Sequence, residues 1–323
     1  MPEVFKTRIT EMFGIQYPIL AGPMAYLSDA ELVSAVSNAG GLGILVSVTH
    51  PTPREFREEI KKTKSLTDKP FAVNVTLAPI VREVNYEEYF TAAIEEGVDI
   101  VETSARSPEP YMKLLKDAGV KIMHRATRTR DIKKAESVGV DAVTILGIEA
   151  AGLPGIEDVT SMIRIPVAVD AVKIPIIAAG GIADARGLMA ALALGADGIL
   201  MGTRFLASKE CKVHTKIKEW LLRLTETDTV TILRSIKNTE RVGRTDFTQM
   251  ILNMEGKGAT LEELLPLVVG ERVKEAYTKG DTDNAPISVG QVVALIQDIP
   301  SVKEIIDGII SEAKVITERL NRL

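Results

Sequence analysis

The chain has 323 residues, of which 46% are hydrophobic and 26% charged, and its net charge is −5. This is the composition of an ordinary globular protein that is long enough to bury a substantial core. Lys and Arg are scattered, which argues against a nucleic-acid surface, and charged residues interrupt every apolar stretch, which excludes a membrane-spanning helix.

The single cysteine, Cys211, excludes an intrachain disulfide and a zinc site of the cysteine type. No cluster of histidine and carboxylate has the spacing of metal ligands. Residues 1–6 lack the charged-then-apolar pattern of a signal peptide. A reducing cytoplasm is therefore the simplest expected location.

Eight short apolar runs rich in β-branched residues alternate with longer helical patterns and predict eight strands. These runs cover residues 18–21, 43–46, 71–75, 100–103, 121–124, 142–146, 175–178 and 198–201. Strict alternation of strand and helix demands a parallel sheet. Eight units favour an α/β fold of the (β/α)8 TIM barrel type over an open doubly wound sheet, because no glycine-rich dinucleotide fingerprint follows the first strand.

Helical patterns fill the gaps between these strands and continue after them. They cover residues 29–38, 53–63, 87–96, 108–117, 128–138, 183–194, 215–225, 250–254, 261–268, 271–277, 289–298 and 302–323, with Ser28 as the N-cap of the first. We therefore expect a barrel over 1–214, a helical accessory element over 215–285, and C-terminal helices over 286–323 that pack back on the barrel.

The carboxyl ends of barrel strands carry the ligands in this fold, and that rule selects a short list of candidate site residues. The list is Ala21, Gly22, Pro23, Met24, Asn74, His124, Arg125, Glu149, Ala151, Gly152, Ala179, Gly180, Gly181, Met201, Gly202 and Thr203. Two adjacent glycine-containing loops, after the seventh and eighth strands, predict a phosphate site built from backbone N–H groups, to which the helix near Ala183 would add its positive end. The same glycines would also suit plain tight turns, and sugar phosphates or nucleotides could use the same loops.

Three side chains from other loops favour a flavin as the ligand that carries this phosphate group. Met24 offers a soft apolar surface to a flat ring, and Asn74 can both donate to and accept from a ring edge. Arg125 would place a positive charge where a reduced flavin becomes negative. Core packing for Met24 and a surface ion pair for Arg125 remain the alternatives.

Several motifs resemble those of the nitronate monooxygenase family, formerly called 2-nitropropane dioxygenases. They are GIQYPILAGPM (14–24), AGGLG (39–43), AAGGIADARG (178–187), LGADG (194–198), MGTRFLA (201–207), RSIKNT (234–239) and GDTD (280–283). The resemblance implies that Gly22, Met24, Asn74, Gly181, Gly202 and Thr203 contact FMN. The stretch 74–79, leading into 86–89, is similar to the NAD(P)H:quinone reductase branch of the family.

One departure from the family pattern concerns proton transfer. The family resemblance implies a histidine after the sixth strand, in a sequence like EAGGH, but this chain has Leu153 at that position. Leucine cannot move a proton. Among the remaining histidines, His50 and His214 lie off the strand ends. His124 could serve as a base, although neighbouring strand residues point to opposite sides, so we expect Arg125 to face the site and His124 to pack behind it.

Four functions are compatible with this sequence. The first is a reductase that takes hydride from NADH or NADPH through FMN to a quinone-like acceptor, a reaction that tolerates Leu153. The others are oxidation of alkyl nitronates by O2, enoyl reduction with Tyr26 or water as the acid, and flavin binding without turnover. We expect a small-molecule substrate, no nucleic-acid or membrane partner, and association into a homodimer as one option.

Overall fold

A computed structural model describes residues 5–77 and 84–322. Its central strands are β1 (Ile19–Ala21), β2 (Gly43–Val46), β3 (Phe71–Leu77), β4 (Ile100–Ala105), β5 (Lys121–Ala126), β6 (Ala142–Leu146), β7 (Ile176–Ala179) and β8 (Gly198–Met201). All neighbouring pairs are parallel, in the order β1-β8-β7-β6-β5-β4-β3-β2. Backbone hydrogen bonds between Leu42 and the two ends of β1, each 3.0 Å long, close the ring. The predicted (β/α)8 barrel is confirmed, with strand ends within two residues of the predicted ones.

The helices of the barrel follow the strands as predicted, with two additions. They are α1 (Arg8–Phe13), α2 (Ala30–Asn38), α3 (Pro53–Leu66), α4 (Tyr86–Glu95), α5 (Met112–Asp117), α6 (Thr129–Ser137), α7 (Ser161–Ala171), α8 (Ala185–Ala193) and α9 (Thr203–Leu206). Short 3-10 helices cover Ser47–Thr49 and Glu109–Tyr111. The N-cap of α2 is Asp29, whose carboxylate accepts from Leu32 N, whereas the predicted cap, Ser28, accepts from Met24 N instead. The sequence reading missed α1 and α7.

The parallel strands alternate their side chains between two apolar layers. Leu20, Ile44, Met123 and Ile177 fill the inside of the barrel. The residues next to them in sequence pack between the sheet and the surrounding helices, as Ile19 and Val143 do. Register therefore fixes which side chain at each strand end points inward to the mouth of the barrel.

The accessory segment after the barrel is not purely helical. It contains α10 (Thr215–Leu221), β9 (Thr229–Ile232), β10 (Glu240–Gly243), α11 (Asp246–Gly256), α12 (Leu261–Val268) and α13 (Gly270–Lys279). The all-helical prediction for 215–285 is wrong at β9 and β10, which pair as an antiparallel hairpin. Val230, Ile232, Val242, Ile251 and Leu264 form a small apolar core of its own under this hairpin.

The C-terminal segment contains one long helix rather than two. A helix predicted for 289–298 is wrong, because only a 3-10 turn (Gln291–Leu295) forms there. The last helix, α14 (Val302–Leu320), packs its Ile-rich face on α2 and α8. No helix in residues 5–77 and 84–322 is long and apolar enough to cross a membrane.

Candidate active site

A chain of polar side chains crosses the inner face of the barrel at the ends of β3, β4 and β5. Asn74 Nδ2 donates to Glu102 Oε2 at 2.6 Å, and Arg125 Nε lies 3.8 Å from Glu102 Oε1. Arg125 also donates to Ser104 Oγ at 3.4 Å. The register pairs Asn74 with Glu102 and Ser104 with Arg125, so all four residues share the inward-facing side of the sheet.

Glu102 is the functional candidate that the sequence reading missed. Its side chain is completely buried, and its Oε1 accepts no hydrogen bond from any residue that the structure describes. Burial raises the pKa of Glu102, while Arg125 and the Asn74 amide oppose that rise. A buried carboxyl oxygen without a donor is costly unless a ligand or a proton satisfies it. The signal in the sequence was a lone charge within an otherwise uncharged strand, β4.

Arg125 and His124 point in the two directions that strand alternation predicts. The Arg125 side chain remains 21% exposed at the end of β5 and is held only loosely by its partners. His124 is buried on the outer side of the sheet, where its Nδ1 lies 2.8 Å from Thr103 Oγ1. Burial, with a smaller effect of Arg125, lowers the pKa of His124 to about 4. A neutral ring behind the sheet does not reach a ligand in the mouth.

The other two histidines also lie away from the inner face. The His50 ring lies 5.8 Å from that of Phe56, and burial lowers the pKa of His50. His214 is the N-cap of α10, and its Nδ1 accepts a hydrogen bond from Lys216 N at 3.1 Å. Cys211 is buried, and burial raises the pKa of its thiol to about 11, which describes an unreactive packing residue.

The loop after β7 turns through two successive glycines in a backbone conformation that other residues rarely adopt. Gly180 and Gly181 both have positive φ, 94° and 75°. A Cβ on Gly180 would lie 3.1 Å from Ala150 N and from Gly147 O, so the loop after β6 packs directly on it. Two successive residues in this conformation aim N–H groups into a shared concavity that suits an anion.

The loop after β8 presents unused donors beside the β7 loop. Gly202 precedes α9 without a side-chain cap, so the first N–H groups of α9 lack an intrahelical acceptor. Space around Gly202 is open, since a Cβ there would meet no atom within 4 Å. Thr203 Oγ1 accepts from Gly290 N at 3.1 Å and retains its own hydrogen for donation. Gly22 packs on Gly202 and donates to Met201 O at 2.8 Å, which ties the end of β1 to this loop.

The N-terminus of α8, which the sequence predicts to contribute to the phosphate site, is capped by the protein itself. The helix begins at Ala185, and the Asp184 carboxylate accepts from Arg186 N at 2.9 Å and Gly187 N at 3.3 Å. These amides are therefore occupied, and the carboxylate adds a negative charge at the helix N-terminus. The donors that fit a phosphate group are those of the glycine loop and of α9.

The loop after β6 is anchored at several points. Glu149 Oε1 and Oε2 accept from Ser161 N at the start of α7, each at 3.0 Å, so the carboxylate of this candidate caps a helix. Gly152 exchanges two backbone hydrogen bonds with Arg241 of β10, at 3.1 and 2.7 Å. Leu153 follows with 51% of its side chain exposed. Ala151 N lies near Gly290, which connects this loop with the C-terminal segment.

The loop after β1 contributes apolar surface and one strained residue. Met24 is partly buried and packs on the core, while its N–H donates to Ser28 Oγ at 2.9 Å. Tyr26 has a positive φ of 66°, and its hydroxyl lies against Gly270 at the start of α13. Ala21 is buried at the end of β1, and Pro23 follows Gly22. Residues 78–83, part of the predicted quinone-reductase-like loop, lie outside the described residues.

A surface concavity among the described residues lies away from these strand ends. It has a volume of about 730 Å³ and surrounds Phe71 and Ile100 at the amino ends of the strands. A smaller one, of about 480 Å³, lies between α3 and α4. Ligands of (β/α)8 barrels bind at the carboxyl ends, where the donors described above converge, so we assign the site to the mouth.

These features define a (β/α)8 barrel whose candidate site lies at the carboxyl ends of its strands, with backbone donors gathered after β7 and β8. The sequence profile of the family named nitronate monooxygenase matches residues 6–312, and the chain belongs to this family of flavin-dependent oxidoreductases and monooxygenases. The resemblance predicted from its motifs is confirmed.

Three relatives illustrate the range of this family. The chain is 33% identical to the (3aS,4S,5R,7aS)-5-hydroxy-7a-methyl-1-oxo-octahydro-1H-indene-4-carboxyl-CoA dehydrogenase of Rhodococcus jostii, over 95% of this chain and 96% of that protein. It is 31% identical to a probable nitronate monooxygenase of Staphylococcus saprophyticus, over 97% and 99%. The solved structure of FabK from Thermotoga maritima has 37% identity and a TM-score of 0.92, covering 98% of each chain.

Proposed function

We propose that this protein is an FMN-dependent reductase that takes hydride from NADH or NADPH and passes it to a quinone-like acceptor. Gly181, Gly202 and Thr203 would hold the FMN phosphate, while Met24, Asn74 and Arg125 would contact the ring. Bound FMN supplies the two-electron chemistry that the side chains of this site lack.

The observation that carries the proposal is the partly exposed Arg125 on the inner face of the barrel. Among residues 5–77 and 84–322, its nearest carboxylate oxygen is 3.8 Å away and its hydrogen-bond partner is the Ser104 hydroxyl at 3.4 Å. Guanidinium has five donors, so most of them remain for a ligand. A cation that is already in position stabilises negative charge as it forms, which favours acceptance of a hydride by the cofactor.

Leu153 favours an acceptor whose reduction does not require a proton-transferring side chain at this position. This residue is half exposed and apolar where the family resemblance implied a histidine. An acceptor such as a quinone can be reduced next to an apolar wall, because its oxygens can take up protons from any nearby acidic group or from water. Abstraction of a proton from carbon, in contrast, requires a base in contact with the substrate.

A second candidate is redox chemistry on an acyl thioester. The Rhodococcus jostii relative, which matches 95% of this chain, is named as a carboxyl-CoA dehydrogenase. Such a reaction would use the same flavin site, but a carbon substrate would be oxidised and would reduce the flavin.

Anaerobic mixing of the flavin-loaded protein with each donor tests the proposal. We expect NADH or NADPH to bleach the flavin absorbance, and 1,4-benzoquinone to restore it without oxygen. Bleaching by an acyl-CoA and by neither nicotinamide would favour the second candidate. Bleaching by propyl-2-nitronate alone would replace both with nitronate oxidation.

A further inference from the structure

A carboxyl group on the accessory hairpin hydrogen-bonds the C-terminal segment and has no cationic partner among the described residues. Glu240 is the first residue of β10, and its Oε1 accepts a hydrogen bond from Ser288 Oγ at 3.0 Å. Burial raises the pKa of Glu240 to about 7, and the Ser288 bond opposes this only in part. In the part of the chain that the structure describes, no cation lowers the pKa of Glu240.

Backbone pairing places Glu240 beside the loop after β6. Gly152 and Arg241 form an antiparallel bridge with both hydrogen bonds present. In an antiparallel pair, the residue after one partner lies next to the residue before the other, so Leu153 and Glu240 are neighbours in register. Arg241 Nε donates to Ile148 O at 2.8 Å, which fastens the hairpin to the same loop.

The C-terminal segment holds Glu240 from the other side. Ser288 is two residues before Gly290, whose N–H donates to Thr203 Oγ1 at 3.1 Å. Gly290 also packs against Glu149 O, where a Cβ would approach to 2.9 Å. Partly buried Glu240 thus lies between the register of the loop after β6 and a segment that is itself hydrogen-bonded to the loop after β8.

The groups that face Glu240 are neutral. Tyr277 of α13 is buried close enough to interact with the carboxyl, and burial raises the pKa of this phenol, so it stays protonated. Cys211 lies behind Tyr277 as a buried thiol. Arg241, the adjacent cation, turns its guanidinium away to Ile148 O and Thr229 Oγ1. Glu240 therefore carries a proton through much of the neutral range and can release it.

We propose that Glu240 is the proton-transfer group of this site and protonates the acceptor at the mouth of the barrel. The inference rests on the proposed function, which supplies the reductant and the quinone class of acceptor. Bound flavin, once reduced, would supply the hydride that one oxygen of the acceptor requires. The Glu240 O–H bond breaks, its proton moves to the other oxygen, and the hydroquinone leaves. Glu240 remains as a carboxylate and regains its proton from water.

The test measures the acceptor half-reaction on protein whose flavin is first reduced with dithionite, so that NAD(P)H is not needed. Rapid mixing with 1,4-benzoquinone should show a rate constant that is level below pH 7 and falls about tenfold per pH unit above it. Glu240→Gln should lower the rate at pH 6 roughly 100-fold and remove this pH dependence. Glu240→Asp should retain part of both. Glu226→Gln, an exposed carboxyl in the loop before β9, is the matched control and should behave as the parent protein.

A second readout does not involve turnover. Infrared difference spectra between pH 6 and pH 8 should contain a protonated-carboxyl band that is lost in Glu240→Gln and kept in Glu226→Gln. An unchanged pH profile in Glu240→Gln, or a carboxyl already ionised at pH 6, would overturn the assignment. Because the flavin is reduced chemically, failure of NAD(P)H to bleach it would count against the proposed function and leave this test intact.

Discussion

Replacing Gly180 and Gly181 together by alanine is expected to weaken FMN binding at least about 30-fold. Both residues have positive φ, and a Cβ on Gly180 would press on Ala150 N and Gly147 O at 3.1 Å. Left-handed backbone costs an L-residue about 1–2 kcal/mol, so the loop would relax and turn its amides away from the phosphate. Restoring the binding geometry would then cost roughly 2–4 kcal/mol, and each 1.4 kcal/mol is a factor of ten in affinity.

A matched control separates loss of the cofactor from loss of stability. Gly119 and Gly139 also have positive φ, 73° and 91°, but lie in turns that lead into β5 and β6 at the opposite end of the barrel. Their double alanine variant should lose comparable stability in thermal unfolding and keep its FMN affinity. Fluorescence titration of the apoprotein with FMN measures both variants. Equal dissociation constants for the two would show that the glycine loop does not bind the phosphate.

Replacing Arg125 by methionine is expected to slow anaerobic reduction of the flavin by roughly 100-fold, in the range found for losing one charge-stabilising donor. The cofactor becomes negative on reduction, and methionine offers it no compensating charge. Its midpoint potential should fall as well. Glu102 tolerates this change, because its pKa is already raised by burial and it can become neutral without its partner.

The controls for Arg125 use its neighbours. Arg125→Lys keeps the charge and should recover part of the rate. Arg128→Met removes an arginine from the same loop, where it is paired with Asp131 at 2.6 Å, and should leave the rate unchanged. If Arg125→Met reduces its flavin as fast as the parent protein does, Arg125 does not contact the cofactor.

The barrel was predictable because its signals are local. Each strand is a short β-branched run preceded by a turn, and eight such runs separated by helices permit few topologies. Thr229–Ile232 carried the same signal, since Thr-Val-Thr-Ile is β-branched throughout, and the prediction of helices around it was wrong for that reason. Pro166 interrupts the pattern of α7, which hid that helix.

The segment after Val289 shows where local pattern fails. Val292, Val293 and Ile296 are buried at a spacing that resembles a helix. The backbone N–H groups just before them have hydrogen-bond partners on the barrel loops, because Gly290 N donates to Thr203 Oγ1 and Gln291 N donates to Glu149 O. These tertiary hydrogen bonds hold the start of the segment against the barrel loops, and only a 3-10 turn follows.

The strand-end rule found part of the site, and long-range pairing supplied the rest. Strand alternation correctly oriented Arg125 inward and His124 outward. The sequence did not identify Glu102 as a site residue, because no local pattern assigns a role to a charged residue inside a strand. The sequence did not identify Glu240 either, because its position depends on the bridge between Gly152 and Arg241, two residues far apart in the chain.

The most direct test of the central claim is the identity of the cofactor that the purified protein releases on heating. The proposed site at the ends of β7 and β8 would take one phosphomonoester, so we expect a yellow protein that releases FMN in a one-to-one ratio, as measured by chromatography of the supernatant. Release of FAD, or a colourless protein that FMN does not reconstitute, would contradict the account.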